Sequence, residues 1–202
     1  MRVALLTGST QSSKNESLSK VLTELSESYH FEFLNFGAFD SEETKYNYLD
    51  TAILSGMLLN SGSVDLVITG CSSGMGSQLA HNSVPGILCG YGRSYEEANL
   101  FTRINQGNSF AYPLGLEWGW GAEIKFKSTM QGLFDGFQQD PYPAKDKERK
   151  QRDADALKLM KKNNQVSWKT MVEDLSTEQR AKLTEKNDVI EYVQNKNAQF
   201  HF

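Results

Sequence analysis

Cysteine is scarce in this chain of 202 residues: there are two, Cys71 and Cys89, beside three histidines and four prolines. Two thiols make neither a disulfide framework nor a metal cluster, so reduced cysteines are expected. None of the histidines (His30, His81, His201) has a partner at metal-ligand spacing, and each is expected to be structural or exposed. Long apolar runs are lacking too. Nothing approaches the ~20 residues of a membrane span, and the apolar part of MRVALLTGST is too short for a signal peptide; the expectation is a soluble, cytoplasmic chain. Nor is there a cationic excess. A net charge of −4, with the basic residues crowded into the last third, argues against a general nucleic-acid binder.

What is present is alternation. Short apolar runs at Val3 to Leu6, Phe31 to Phe36, Asp65 to Thr69, Ile87 to Cys89 and Ser109 to Tyr112 read as five strands. Between them lie helical patterns. Leu18, Val21, Leu22 and Leu25 recur at i, i+3, i+4 and i+7 in a helix ending near His30. Tyr48 to Leu59 is a mostly apolar helix, Ser94 and Glu97 form a capping-box pattern opening a helix to Ile104, and Trp118 to Phe134 is a closing helix. This rhythm predicts a Rossmann-like three-layer α/β/α fold around a five-stranded parallel sheet. From Phe137 the composition turns to proline and mixed charge. Residues 1–140 are therefore expected to form the α/β domain, and 141–202 a linker followed by a helical extension with its own capping box at Ser176 and Gln179.

The stretch Val64 to Asn82, VDLVITGCSSGMGSQLAHN, organises the rest. A buried strand breaks into Gly70, Cys71, Ser72, Ser73, Gly74, Met75 and Gly76 before a helix resumes. The glycines let backbone N–H groups approach an anion at a helix N-terminus. Here a thiol sits at the strand's C-terminal end, where open α/β sheets bind ligands. The loop is neither a Walker loop nor the dinucleotide fingerprint, since the required Gly-Lys-Ser/Thr and three-glycine spacings are missing. Two readings stay open for Cys71. A thiol at a helix N-terminus can act as a thiolate base or nucleophile, and cysteine also often just fills space in a core. Cys89, inside a strand, reads as core. Ser12, Ser13, Lys14 and Asn15 follow strand one, where Lys14 could meet a phosphate or carboxylate, although loop lysines are usually solvated. Arg93, Asn105 and Asn108 occupy strand-end or pre-strand loops, where asparagines often cap turns. Arg149 and Arg152, in the mixed-charge segment, read by themselves as a solvated face.

Taken together, D-L-V-I-T-G-C-S-S-G-M-G, then N-S-V-P-G-I-L-C-G, then I-N-Q-G-N-S resemble the family of type B ribose-5-phosphate isomerases and galactose-6-phosphate isomerase subunits. The Q-x-S-K-N loop after strand one, the G-W-G-A-E run from Gly119 to Glu123 and the helical tail are similar to a longer-chain branch of that family. The resemblance covers roughly residues 1 to 155. It implies an aldose–ketose isomerase acting on a phosphorylated sugar through a cis-enediolate, without metal or cofactor. Cys71 would be the base that moves a proton between C1 and C2, and the N–H groups of Ser72 to Gly76 would stabilise the enediolate oxygen, with hydroxyls available at Ser72 and Ser73. Asn105 would bind substrate hydroxyls, and Asn108 occupies another motif position. Arg149 and Arg152 would hold the phosphate, often across a subunit boundary, which implies a homodimer or homotetramer. Short-chain members carry Asp-His where this chain has Thr7-Gly8, and a ring-opening histidine where it has Ile104. Either another group opens the ring, or the substrate is short or already open. The rival readings are a non-catalytic sugar-phosphate or nucleotide binding module, and a thiol enzyme using Cys71 as a covalent nucleophile.

Overall fold

The computed structural model describes residues 1–200; His201 lies outside the described residues. Five strands, β1 (Arg2–Leu5), β2 (Glu32–Asn35), β3 (Leu66–Cys71), β4 (Cys89–Tyr91) and β5 (Ser109–Pro113), form one all-parallel sheet in the order β2-β1-β3-β5-β4. The central strands are buried on both faces, which is why they read as continuous apolar runs rather than alternating ones. One face is covered by α1 (Asn15–Tyr29) and α5 (Ala122–Phe137), whose Leu18, Leu22, Phe126 and Leu133 pack on Val3, Leu5, Ile68 and Phe110. The other face carries α2 (Tyr48–Asn60), with Leu54 and Leu58 against Ala4, Leu6 and Val67. Helix α3 (Met75–Ser83) lies beside α2, and α4 (Tyr95–Leu100) packs against α5. This is the expected three-layer α/β/α arrangement.

Element ends differ from the sequence reading for identifiable reasons. Strand β4 starts at Cys89 rather than Ile87, because Leu88 N–H is taken by the Asn108 side chain (2.8 Å) and Ile87 N–H by Val84 O (3.3 Å). The helix opened by Ser94 is α-helical only to Leu100 and continues as a wider π turn from Phe101 to Asn105. There Thr102 Oγ1 donates into the backbone ladder, towards Ala98 O (3.2 Å) and Asn99 O (3.0 Å), as hydroxyls that bend helices do. Ser94 caps Glu97 N–H, but the Glu97 carboxylate accepts from Arg93 N–H (2.6 Å), one residue earlier than a capping box requires. Helix α5 begins at Ala122, after Gly121 at φ 77°, not at Trp118.

The segment expected to be a linker is helical from Lys147: α6 (Lys147–Asn164) includes Arg149 and Arg152. It is followed by α7 (Trp168–Glu173), α8 (Thr177–Thr184), with the capping box at Ser176 and Gln179, and α9 (Asn187–Lys196). The tail joins the core of the sheet domain, since Leu183, Val189 and Val193 pack with Ala4, Leu6 and Val67. Two cations fasten it. Lys182 reaches Asp50 at 2.6 Å, and Lys186, only 4% exposed, pairs with Glu42 and with Asp188 at 3.0 Å. Among the described residues no helix is long and apolar enough to cross a membrane.

Candidate active site

Cys71 is the last residue of β3, in register with Pro113 of β5, and is half-buried. Four backbone N–H groups fix the strand end. Cys71 O accepts from Leu114 N–H (2.9 Å) and Gly74 N–H (3.2 Å), while Ser72 O accepts from Gly115 N–H (2.8 Å) and Leu116 N–H (3.0 Å). The chain then reverses at Gly74, where φ is 75° and a Cβ would stand 2.7 Å from the Tyr91 ring and 3.0 Å from Pro113 N; only glycine fits. Helix α3 starts directly after it. Its first ladder bond is Gln78 N–H to Gly74 O (3.0 Å), which leaves the N–H groups of Met75, Gly76 and Ser77 outside the ladder at the positive end of the helix.

The sulfur sits against this first turn. A Cβ built on Gly76 would lie 3.7 Å from Cys71 Sγ and 3.5 Å from the Tyr48 ring, so the thiol lies near an aromatic wall supplied by α2. Burial pushes the Cys71 thiol up, but donors facing the charged sulfur outweigh it: the Ser77 hydroxyl and N–H, the Gly74 N–H and the Ser73 hydroxyl hold it below the ordinary thiol value. Cys89 is the contrast. Buried in the core, its thiol is pushed up to about 12, as its reading as a packing residue requires.

The loop after β1 closes the other side. It is a 3-10 turn from Ser9 to Lys14, in which Gln11 is buried. Gln11 Nε2 donates to Ser72 Oγ (3.2 Å), and Lys14 Nζ donates to Gln11 Oε1 (2.6 Å) while lying 5.5 Å from the Trp118 ring centroid. Burial lowers the Lys14 ammonium below its ordinary value. Ser13 is exposed on the same turn. Asn15 is not free for a ligand, because it exchanges amide hydrogen bonds with Asn35 at 3.0 and 2.9 Å. Thr7, at the end of β1, is likewise committed: Oγ1 donates to Gly37 O (3.4 Å) and accepts from Ala38 N–H (3.2 Å). Arg93 follows β4 on the same C-terminal edge, exposed, with Nη1 3.9 Å from Glu117.

The remaining sequence candidates lie elsewhere in the chain. Asn105 and Asn108 precede β5, where the strand begins, whereas Cys71 lies where the adjacent β3 ends; Asn105 lines a cavity along β4 with Gln78 and Tyr91. Asn108 is tied to backbone, donating to Gly86 O (2.8 Å) and accepting from Leu88 N–H (2.8 Å). Helix α6 packs on the π turn, through Gln151 and Gln106 (2.8 Å). On it Arg149 pairs with Asp146 (3.2 Å) and Asp153 (3.0 Å), and Arg152 has no hydrogen-bond or ion-pair partner among the described residues. A single copy therefore brings together Cys71, the loop to Gly76 and Lys14, but not Asn105, Arg149 or Arg152. Two residues that sequence reasoning gave no role belong to the assembled group. Gln11, the first residue of the Q-x-S-K-N motif, links two loops, and Ser77 is a polar residue on the first turn of α3.

A family model described as Ribose/Galactose Isomerase matches residues 4–157. Among solved structures, a 4-deoxy-L-threo-5-hexosulose-uronate ketol-isomerase complexed with a tartrate superposes with a TM-score of 0.85 at 29% identity, covering 97% of this chain and 99% of that one. A ribose-5-phosphate isomerase from Vibrio parahaemolyticus also gives 0.85, at 25% identity and the same coverage. The type B ribose 5-phosphate isomerase of Trypanosoma brucei shares the fold at 23% identity and a TM-score of 0.61, covering 79% of this chain and 97% of its own. No curated protein matches. The match spans the sheet domain and enters α6, and on that ground the chain belongs to the ribose/galactose isomerase family.

Proposed function

We propose that the chain is an aldose–ketose isomerase that moves a proton between adjacent carbons of an open-chain phosphorylated sugar, with Cys71 as the base. The observation that carries this reading is the thiol at the end of β3, held below its ordinary value beneath the free N–H groups of α3. A carbon acid beside a carbonyl needs a positioned base and a site for the oxygen that becomes charged. The Cys71 thiolate takes the proton from the carbon next to the carbonyl. The bonding pair moves in to form the cis-enediolate, whose oxygen faces the N–H groups of the Ser72–Gly76 loop and the first turn of α3. The hydroxyl proton passes to the oxygen that was the carbonyl, the thiol returns its proton to the former carbonyl carbon, the new carbonyl forms on the neighbouring carbon, and no net redox change occurs. Ser72, held by Gln11, and Ser73 supply hydroxyls for the substrate oxygens.

A second copy of the chain supplies Asn105, Arg149 and Arg152, which lie away from Cys71 within one copy, so the working unit is a homodimer or a pair of dimers. Asn108 gives one N–H and one lone pair of its amide to backbone and holds the β4 lead-in.

The Thr7 hydroxyl is spent on Gly37 and Ala38, so strand one offers no ring-opening acid, and an open-chain substrate needs none. A second reading of the substrate, an open-chain keto-sugar acid with a carboxylate instead of a phosphate, is favoured by the similar ketol-isomerase named for a hexosulose uronate. The test is a panel of C4 to C6 sugar phosphates and open-chain keto-uronates, followed by NMR for aldose–ketose conversion. Conversion of at least one is expected, falling about 10³-fold in Cys71→Ala. An enzyme of unchanged rate after Cys71→Ala would remove this mechanism.

A further inference from the structure

Ser77 is fully buried, at 0% exposure, yet its Oγ has no hydrogen-bond partner among the described residues. A buried hydroxyl left unpaired costs about 1–3 kcal/mol, so one that persists needs an explanation. Packing alone is not one, because alanine fills nearly the same space without the cost.

The backbone around Ser77 is locked. Its carbonyl accepts from His81 Nδ1–H (2.8 Å), and His81 Nε2 in turn accepts from the Ser55 hydroxyl (3.0 Å). These partners assign the tautomer, since a carbonyl can only accept. Burial lowers His81 to about 4, so the ring beneath Ser77 is neutral. What remains free on Ser77 are two donors, its N–H outside the helical ladder and its hydroxyl, both on the first turn of α3 against which the Cys71 sulfur rests.

We propose that Ser77 is a positioning residue whose hydroxyl turns to donate to Cys71 once the sulfur is a thiolate, so that the base is charged by neutral dipoles rather than by a cation. The hydroxyl keeps its own proton throughout. When Cys71 takes the substrate proton the Ser77 O–H loses its acceptor, and when that proton is returned to carbon the hydrogen bond re-forms. Ser77 thus favours the state of Cys71 that starts each turnover.

The charged and titratable groups on surrounding elements are otherwise engaged. Lys14, after β1, is bonded to Gln11; Asp50 of α2 pairs with Lys182; Glu117, beyond β5, pairs with Lys125 and faces Arg93. Tyr112 of β5 is held up at about 12 by burial, and Tyr48 of α2 and Tyr91 of β4 contribute phenol rings to the walls. None of the hydrogen bonds or ion pairs among the described residues sets a cation on the sulfur.

This inference rests on Cys71 being the base, but its test needs no substrate. The pH dependence of iodoacetamide alkylation reads Cys71 alone, because Cys89 is buried with its thiol held up. In Ser77→Ala, the alkylation midpoint should move upward and the rate at pH 7 fall about tenfold. Ultraviolet absorbance of the thiolate through the same titration gives an independent midpoint, and circular dichroism confirms the fold. An unchanged midpoint in folded Ser77→Ala overturns the assignment. A raised midpoint in a protein that isomerises no sugar keeps the Ser77 role and rejects only the proposed reaction.

Discussion

Gln11 Nε2 donates to Ser72 Oγ at 3.2 Å, so the turn after β1 and the loop after β3 are joined by one buried amide. The same amide accepts from Lys14, which therefore meets the thiol loop only through Gln11. Replacing it with leucine keeps the volume and removes these two bonds together with the one Nε2 gives Thr10 Oγ1 (3.0 Å). Gln11→Leu is expected to fold and to lower kcat about tenfold, equivalent to about 1.4 kcal/mol of lost positioning. Steady-state kinetics on the best substrate checks this, and an unchanged kcat would separate Ser72 from catalysis.

His81 makes a pH-dependent contribution to stability. It is lowered to about 4 in the folded chain by burial, against about 6.5 when unfolded. Below pH 6.5 the unfolded chain takes up a proton that the folded one refuses. Stability is thus fully present above that pH and lost as pH falls toward 4, by up to about 3 kcal/mol. Urea unfolding at pH 7 and pH 5 should show the loss in the wild type and a flatter dependence in His81→Gln.

Two nearby asparagines should behave oppositely. Asn108 spends both ends of its amide on backbone groups of the β4 lead-in, so Asn108→Ala should destabilise the chain by about 2 kcal/mol in chemical denaturation. Asn105 is at the end of the π turn and half-exposed. Asn105→Ala should leave stability within about 0.5 kcal/mol while raising KM. Equal stability losses in both would assign Asn105 to the fold.

The sheet was readable because buried parallel strands are short, apolar and bounded by polar turns, and Val67, Ile68 and Phe110 all fit that pattern. The position of Cys71 followed from the break at Gly70 to Gly76. The π turn at Phe101 to Asn105 was not readable, since the hydroxyl of Thr102 redirects the ladder without altering apolar spacing. Burial of Asn15 against Asn35 and of Gln11 against Ser72 joins residues far apart in sequence, which no local period records. The docking of α8 and α9 escaped for a similar reason. Beside the apolar contacts of Leu183, Val189 and Val193 it uses Lys182 with Asp50 and Lys186 with Glu42, long-range pairs that look like solvated charges in the sequence.

The placement of Arg149 and Arg152 at the opposite edge of the sheet has a consequence for mixed oligomers. A chain lacking Cys71 and a chain lacking both arginines should each be inactive alone. Mixed by refolding, half of the dimers are hybrids, each with one intact site, so about a quarter of wild-type activity is expected. If the mixture stays inactive, the arginines do not serve the partner's thiol. Arg152→Ala by itself should raise KM for a sugar phosphate and leave a keto-uronate less affected if phosphate is its target.

The most direct measurement is solvent isotope exchange. Incubated in deuterium oxide with its substrate, the wild-type chain should place deuterium on the carbon that gains the proton, followed by mass spectrometry. Cys71→Ala should bind the same substrate and incorporate none above the uncatalysed rate. Equal incorporation by the two proteins would contradict Cys71 as the base of an enediolate isomerase.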